Sequence, residues 1–486
     1  MFPALRATRP TVVRAAAAAA AAPAPASSPS LNGSELDAGS AVLQWACQGW
    51  EGPGLDDDEE GFNSRSSRSG VEAQLPLAVG VRDLGEGRGR GLVALRDVGP
   101  EETLLSVSMD RVFCSEPDSE LHWSADMGLR LLKARHASRQ QAQQPALQQS
   151  RSGGAVDWGV WIRSLPTAVR TPLEYGDAEL GALDEYMAAE VVGMQQCVQD
   201  CFEVVRPELD AIGCGWEDFL WAVQVFHSRC FFEPTSGRHM TVPGVDMANH
   251  TATPSAGVRI VHPMSQGWDA TAEIAEPPPP EPSRFTLVAG EAGIRCGEEV
   301  TISYGSWPSE AFLLLFGFVP SPCPGEALTL FRDAEEVVRW CMGRHGGGPA
   351  SEHQDDEEVE ARVAAALEQV AEALAPPLAA DDGGAAGVDL GDFTNLVVTP
   401  QGVDGRLEPL LAVLEVQVQG EAAAVPAPIT TVARQLLVAR LRERAAEFAV
   451  DGTGGQGCRE PPVVAFRESK RAVAAAALAA LTGPAR

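Results

Sequence analysis

No uninterrupted apolar run in this 486-residue chain reaches the ~18 residues that a membrane-spanning helix requires. The longest candidates are alanine tracts, which are only weakly hydrophobic, so no membrane partner is expected. Basic residues are scarce: 37 Lys and Arg stand against 67 Asp and Glu, a formal net charge of −30. A chain this acidic repels phosphate backbones unless a local basic patch dominates, and none is present, which argues against direct nucleic-acid binding. The ten cysteines include no Cys-x-x-Cys pair. Cys197 and Cys201 stand four apart on an expected helix face, which is not zinc-finger spacing. Free thiols in a reducing compartment are therefore expected, and no metal site is assigned. The chain also lacks an internal repeat.

One further absence is local. The first 34 residues hold Arg6, Arg9 and Arg14 and no acid, together with an alanine run from Ala15 to Ala22 and a Ser/Pro cluster. An arginine-bearing, Ala/Ser-rich, acid-free start resembles an organellar transit peptide. A secretory signal fits less well, because the alanine run has no Leu, Ile or Phe. Hydrophobic residues make up 45% of the sequence, enough for a sizeable core in two or three domains. The 48 Gly and 36 Pro imply structureless insertions as well.

Ala41–Gly49 reads as a short helix, and an acidic, Ser-rich loop follows over Asp56–Ser69. Three short strand patterns lie near Ala78–Asp83, Gly91–Asp97 and Thr103–Val107. Leu180, Leu183, Met187, Val191, Met194, Val198 and Cys201 then step by three and four, an amphipathic helix. Phe219, Leu220, Val223 and Phe226 mark a second, and the Gln/Ser-rich stretch from Arg139 to Gly154 is expected as a loop. Strand patterns return from about Thr241 to Tyr304, interrupted by Pro277–Pro282. Beyond Gly325 the chain reads helical, with low-complexity breaks near Gly346–Glu358, Ala379–Gly387 and Gly452–Gly457.

Three segments could carry chemistry. Gly85 to Leu92 is glycine-rich, but Arg90 stands where the dinucleotide fingerprint needs its third glycine, and the Lys-Ser/Thr of a phosphate loop is missing. What remains is a strand connection that another group can approach closely. Ser228 to His250 places Arg229 at a helix end and Asp246, Asn249 and His250 close together. Asp246 and His250 are four apart and could suggest a metal, yet only His262 follows soon after. In Gly297 to Val319, Val300, Ile302 and Tyr304 alternate with Thr301 and Ser303, a half-buried strand ending on Tyr304 beside Gly305, before a short apolar helix. Taken alone, Tyr304 is either a catalytic hydroxyl or a core plug.

Taken in order, Gly89-Arg90-Gly91-Leu92-Val93-Ala94, Trp161 with Ser164-Leu165-Pro166, Ser228-Arg229, Asp246-Met247-Ala248-Asn249-His250, Ile302-Ser303-Tyr304-Gly305 and Gly317-Phe318-Val319 form a set. This set resembles the SET-domain protein methyltransferases, in the subgroup typified by the Rubisco large-subunit lysine methyltransferase. The resemblance spans roughly residues 40–325. It implies an α+β fold of small curled β-sheets with a pseudoknot in which the Asn-His and Tyr segments thread past each other. It also implies a helical insertion at 121–229 and an all-α substrate-binding domain over 326–486, after a transit peptide over 1–34.

The same resemblance implies S-adenosyl-methionine as cofactor and no metal. It places backbone contacts to the cofactor at Glu86, Gly87, Arg88, Gly89, Arg90 and Gly91. Arg229 falls where an arginine pairs with the cofactor's carboxylate, and a bidentate fork suits that task. Asn249 and His250 fall where the methionine amine and the adenine are held. Tyr304 falls on the catalytic tyrosine, and Asp246, Phe316 and Phe318 fall along the substrate lysine channel. One departure stands out: the subgroup commonly has Tyr-Gly-Phe after its apolar helix, and this chain has Phe316-Gly317-Phe318.

The expected activity is methylation of a lysine on a plastid protein, Rubisco large subunit or aldolase-like, by a monomer in the chloroplast stroma, with the mitochondrion as the alternative. A SET-fold scaffold subunit with little catalysis, or a histidine methyltransferase, are the rival readings.

Overall fold

The computed structural model describes residues 36–48, 77–85, 88–143, 156–262, 283–345, 356–374, 390–419, 429–449 and 458–483. The expected leader, the acidic loop, Glu86, Gly87 and the Pro277–Pro282 loop lie outside the described residues.

Helix α1 (Leu36–Ala46) precedes strands β1 (Val79–Asp83), β2 (Arg90–Ala94), β3 (Thr103–Ser108) and β4 (Phe113–Cys114). A helical block follows: α2 (Trp123–Gln143), α3 (Gly159–Ser164), α4 (Asp177–Leu180), α5 (Glu185–Ala211) and α6 (Trp216–Arg229). Strands resume with β5 (Phe231–Glu233), β6 (Arg238–Thr241), β7 (Asn249–His250), β8 (Ala256–Val261), β9 (Arg284–Ala289) and β10 (Glu299–Ile302). They form three small sheets, ordered β1-β2-β10-β7, β3-β9-β8 and β4-β6-β5. The helical block runs from Trp123 to Arg229. Helix α2 runs to Gln143, so the Gln-rich stretch expected as a loop is helical at its start.

After β10 the expected apolar helix is a single turn, α7 (Ser309–Ala311), continued by a π-helical turn, Phe312–Phe316. Gly317 ends it in the left-handed region at φ +72°. A Cβ there would lie 2.2 Å from the carbonyl oxygen of Arg170. The C-terminal part corrects the all-α expectation. Strands β11 (Leu328–Asp333), β12 (Thr394–Thr399) and β13 (Gly402–Val403) pair into a sheet, flanked by α8 (Ala334–His345), α9 (Asp356–Leu374), α10 (Leu407–Gln419), α11 (Ile429–Ala449) and α12 (Pro461–Thr482). The physical reason is plain in the residues: Thr394–Thr399 is rich in β-branched side chains that sit well on a pleated surface, and Leu396 and Val398 bury while their neighbours do not.

Two hydrophobic cores result. One draws on α1, the strands of the three N-terminal sheets, α2, α3, α6 and the C-terminal half of α5. The other draws on the N-terminal half of α5 and the C-terminal elements. The 3–4 spacing read along α5 is thus one buried stripe serving two cores: Met187 and Val191 face the second, Met194, Val198 and Cys201 the first. Asp184 caps α5 by accepting from the amides of Tyr186 and Met187, so Leu180 and Leu183, which the spacing joined to this helix, lie before its start. Leu314 of the π turn packs against both cores, so this turn sits at their seam.

Candidate active site

Sheet pairing brings the three sequence segments together. Strand β10 pairs antiparallel with β2 (Val300 opposite Leu92) and parallel with β7 (Thr301 opposite Asn249, Ile302 opposite His250). The amide of Thr251 extends the contact to the Ile302 carbonyl at 3.1 Å. Strand β10 ends at Ile302, two residues before the expected terminus at Tyr304. The tyrosine is held beyond the ladder by two bonds. Its amide donates to His250 Nδ1 at 3.1 Å, and its hydroxyl donates to the Ala248 carbonyl at 2.9 Å.

That hydroxyl stays protonated. Burial pushes its pKa up to about 12, with the Arg229 charge opposing and Asp246 adding to the shift. At neutral pH it is a hydrogen-bond donor and carries no charge. Around it stands an aromatic wall. Ring centroids of Tyr304 and Phe316 are 4.9 Å apart, His250 lies 5.2 Å from Tyr304 and 4.8 Å from Phe312, and Phe318 lies 5.6 Å from Phe312. Phe312 was not among the residues expected to form the site. Its signal was available, four residues before Phe316 in a helical run, but helical spacing alone reads as core packing.

Because His250 Nδ1 accepts the Tyr304 amide, its neutral ring carries the proton on Nε2. Burial holds the ring's pKa below the usual histidine value, which keeps it neutral. Nε2 is buried and has no partner among the described residues.

Arg229 ends α6, where its charge suits the helix C-terminus. Its Nη1 donates to the Asp246 carbonyl at 2.7 Å and to Asp246 Oδ2 at 3.4 Å. Asp246 also accepts from Trp161 Nε1 (3.3 Å) and the Gly244 amide (2.9 Å). Burial still raises its pKa, against the pull of Arg229. With its side chain fully enclosed, Asp246 anchors Arg229 and does not line a channel, which corrects that expectation. Arg229 Nε is buried without a partner among the described residues. Arg90 donates to the Ser164 carbonyl at 2.6 Å, and its pKa is lowered by desolvation and then by the neighbouring Arg229 charge. Two guanidiniums thus face one carboxylate, an arrangement that favours an anion.

The hairpin β1–β2 supplies the third side. Arg88 and Gly89 are exposed at its turn, and Gly91 is buried against Asn249. A Cβ on Gly91 would come within 2.8 Å of Asn249 Nδ2 and 3.0 Å of Glu299 Oε1, so a side chain there would push both of these ends aside. Asn249 Nδ2 donates to Glu299 Oε1 at 2.9 Å and to the Arg88 carbonyl at 3.4 Å, while Arg88 ion-pairs with Glu299. Glu299 escaped the sequence reading, because only the β7–β10 pairing places it beside Asn249. These residues fit a ligand with a charged amino-acid end and a further hydrogen-bond acceptor. Arg229 Nε and His250 Nε2–H are orphaned donors, and a carboxylate and a ring nitrogen or hydroxyl are the groups they would satisfy.

No family model and no curated protein matches this sequence. Solved structures do. The SET domain of LSMT bound to lysine and AdoHcy superposes with a TM-score of 0.53 at 18% identity, covering 84% of this chain and 87% of that chain. Rubisco LSMT bound to sinefungin and monomethyllysine gives 0.51 at 18% identity over 83% and 86%. Rubisco LSMT bound to AdoMet gives 0.50 at 19% identity over 84% and 88%. The fold of this chain is therefore the SET-domain fold, in the form seen in LSMT, with its small sheets, helical insertion and largely helical C-terminal part.

Proposed function

We propose that this protein transfers a methyl group from S-adenosyl-methionine to the side-chain amine of a lysine on a protein substrate. The observation that carries the reading is the placement of Tyr304. Its protonated hydroxyl is aimed by the Ala248 carbonyl, within an aromatic wall and beside the orphaned donors of Arg229 and His250. The solved structures of the same fold hold AdoMet, AdoHcy, lysine and monomethyllysine, which supports the cofactor and the acceptor together.

The cofactor supplies an activated methyl on a sulfonium; the protein's task is alignment. Arg229, Asn249 and His250 hold the amino-acid and ring ends. An incoming lysine must lose its proton, since its unperturbed pKa lies near 10.4. The apolar rings of Phe312, Phe316 and Phe318 disfavour the ammonium and so assist that loss. The Tyr304 hydroxyl, fixed at one end by Ala248, presents its oxygen to the positive charge of the reacting centre. Phe316 offers no hydroxyl to the amine, unlike a tyrosine at that place.

The acid-free, arginine-bearing residues 1–34 support a plastid target and stromal location as part of the same proposal. The test pairs the protein with its Tyr304→Phe variant, labelled cofactor and a plastid extract, with labelled bands identified by mass spectrometry. Tyr304→Phe is expected to bind cofactor as the parent does and to lose transfer by about 10²- to 10³-fold. Full activity in the variant would remove Tyr304 from the chemistry. Tight cofactor binding with no labelled protein would favour a scaffold, and label on histidine would change the acceptor.

A further inference from the structure

We propose that Glu299 is a positioning residue that turns the Asn249 amide so that its oxygen, and not its nitrogen, faces the ligand. This rests on the reading of the site as a pocket for a nucleoside with an amino-acid end, and assigns one residue's contribution to recognising that end's ammonium.

The argument is one of hydrogen-bond valence. An asparagine amide has a donating and an accepting end, and either can point outward. Here one end meets two groups that can only accept: the Glu299 carboxylate at 2.9 Å and the Arg88 carbonyl at 3.4 Å. Only the NH₂ group satisfies both, so Nδ2 points at them and Oδ1 is turned to the opposite side. An outward amide oxygen accepts from an ammonium; an outward NH₂ would repel it.

The surroundings lock the arrangement. Gly91 lets strand β2 close on both side chains, and Arg88 covers Glu299 from the hairpin with an ion pair. The pairing of Thr301 with Asn249 sets the register, so Glu299 and Asn249 are carried on neighbouring strands of one sheet. An exposed guanidinium contributes little to stability by itself. Its ion pair instead fixes where the carboxylate lies beside Asn249.

The test measures binding of two probes to the full-length protein by calorimetry: S-adenosylhomocysteine, and its analogue lacking the α-amine. Glu299→Ala is expected to weaken S-adenosylhomocysteine roughly tenfold, the loss of one charge-assisted hydrogen bond, and to leave the deaminated analogue within about twofold of the parent. Glu299→Gln keeps an accepting oxygen at the same place and is expected to stay within about threefold of the parent on both probes. Equal losses on the two probes, or no loss on either, would overturn the proposal. So would a Glu299→Gln loss as large as that of Glu299→Ala, which would assign the effect to charge and not to amide orientation. A parent protein that binds neither probe would instead bring down the cofactor reading on which the proposal stands.

Discussion

His227 offers a clean test of how burial of the insertion helices sets stability against pH. It lies in α6, two residues before Arg229, and is 2% exposed. Its Nε2 meets Ser124 Oγ at 3.0 Å, the hydroxyl also bonded to His122 Nδ1 at 2.8 Å, while its Nδ1 is buried without a partner among the described residues. Burial, with the nearby His122 and His239 adding to it, lowers its pKa to about 3. In the unfolded chain the same ring titrates near 6.5. Above pH 6.5 it is neutral in both states and the folded protein has its full stability. As pH falls from 6.5 towards 3, only the unfolded chain takes up the proton, so stability is lost. At pH 5 the unfolded state gains about 2 kcal/mol from this one ring, and the folded state almost nothing. Urea unfolding of the parent and of His227→Leu, at pH 7 and pH 5, measures it. The variant loses a bond to Ser124 at both pH values, but the stability gap should move by about 2 kcal/mol in its favour at pH 5. His122 and His239, whose pKa values are also lowered by burial, and the acidic side chains titrate in both proteins and cancel. A gap that is the same at the two pH values would refute the reasoning.

Other substitutions probe the seam between the cores. Lys470 of α12 is fully buried and pairs with Glu310 of α7, Glu326 and the Ala327 carbonyl, while Ser309 and Ser469 also bind Glu326. Lys470→Met strands two carboxylates and should cost about 3–5 kcal/mol in urea unfolding, with a loss under ~1 kcal/mol counting against a tight network. Gly317→Ala must hold φ +72° and push against the Arg170 carbonyl, whereas Gly89→Ala at φ +59° meets nothing within 4 Å. The second should lose about 1–2 kcal/mol from backbone strain alone, the first clearly more, and equal thermal shifts would show that the π turn yields freely.

The stripe along α5, the short strands around Gly91 and the Val-Thr-Ile alternation before Tyr304 were legible because they depend on local period and on which side chains suit water. So were the candidate residues Arg229, Asn249, His250 and Tyr304, though their grouping rested on resemblance and not on any local rule. What periodicity could not show was the parallel β7–β10 contact, since Asn249 and Thr301 are separated by more than fifty residues and a two-residue strand has no signal of its own. That contact decides that Glu299 sits behind Asn249, that His250 receives the Tyr304 amide and that Phe312 joins the aromatic wall. The same limit hid the β11–β13 sheet among helices, where the Thr/Val run was readable but its partner strand lay across a long helical stretch. Local residue chemistry thus determined most of the elements and offered the candidate side chains. Only the closing of distant segments onto one sheet, driven by burial of faces that local pattern cannot pair, decided which atoms meet and which donors are left for a ligand.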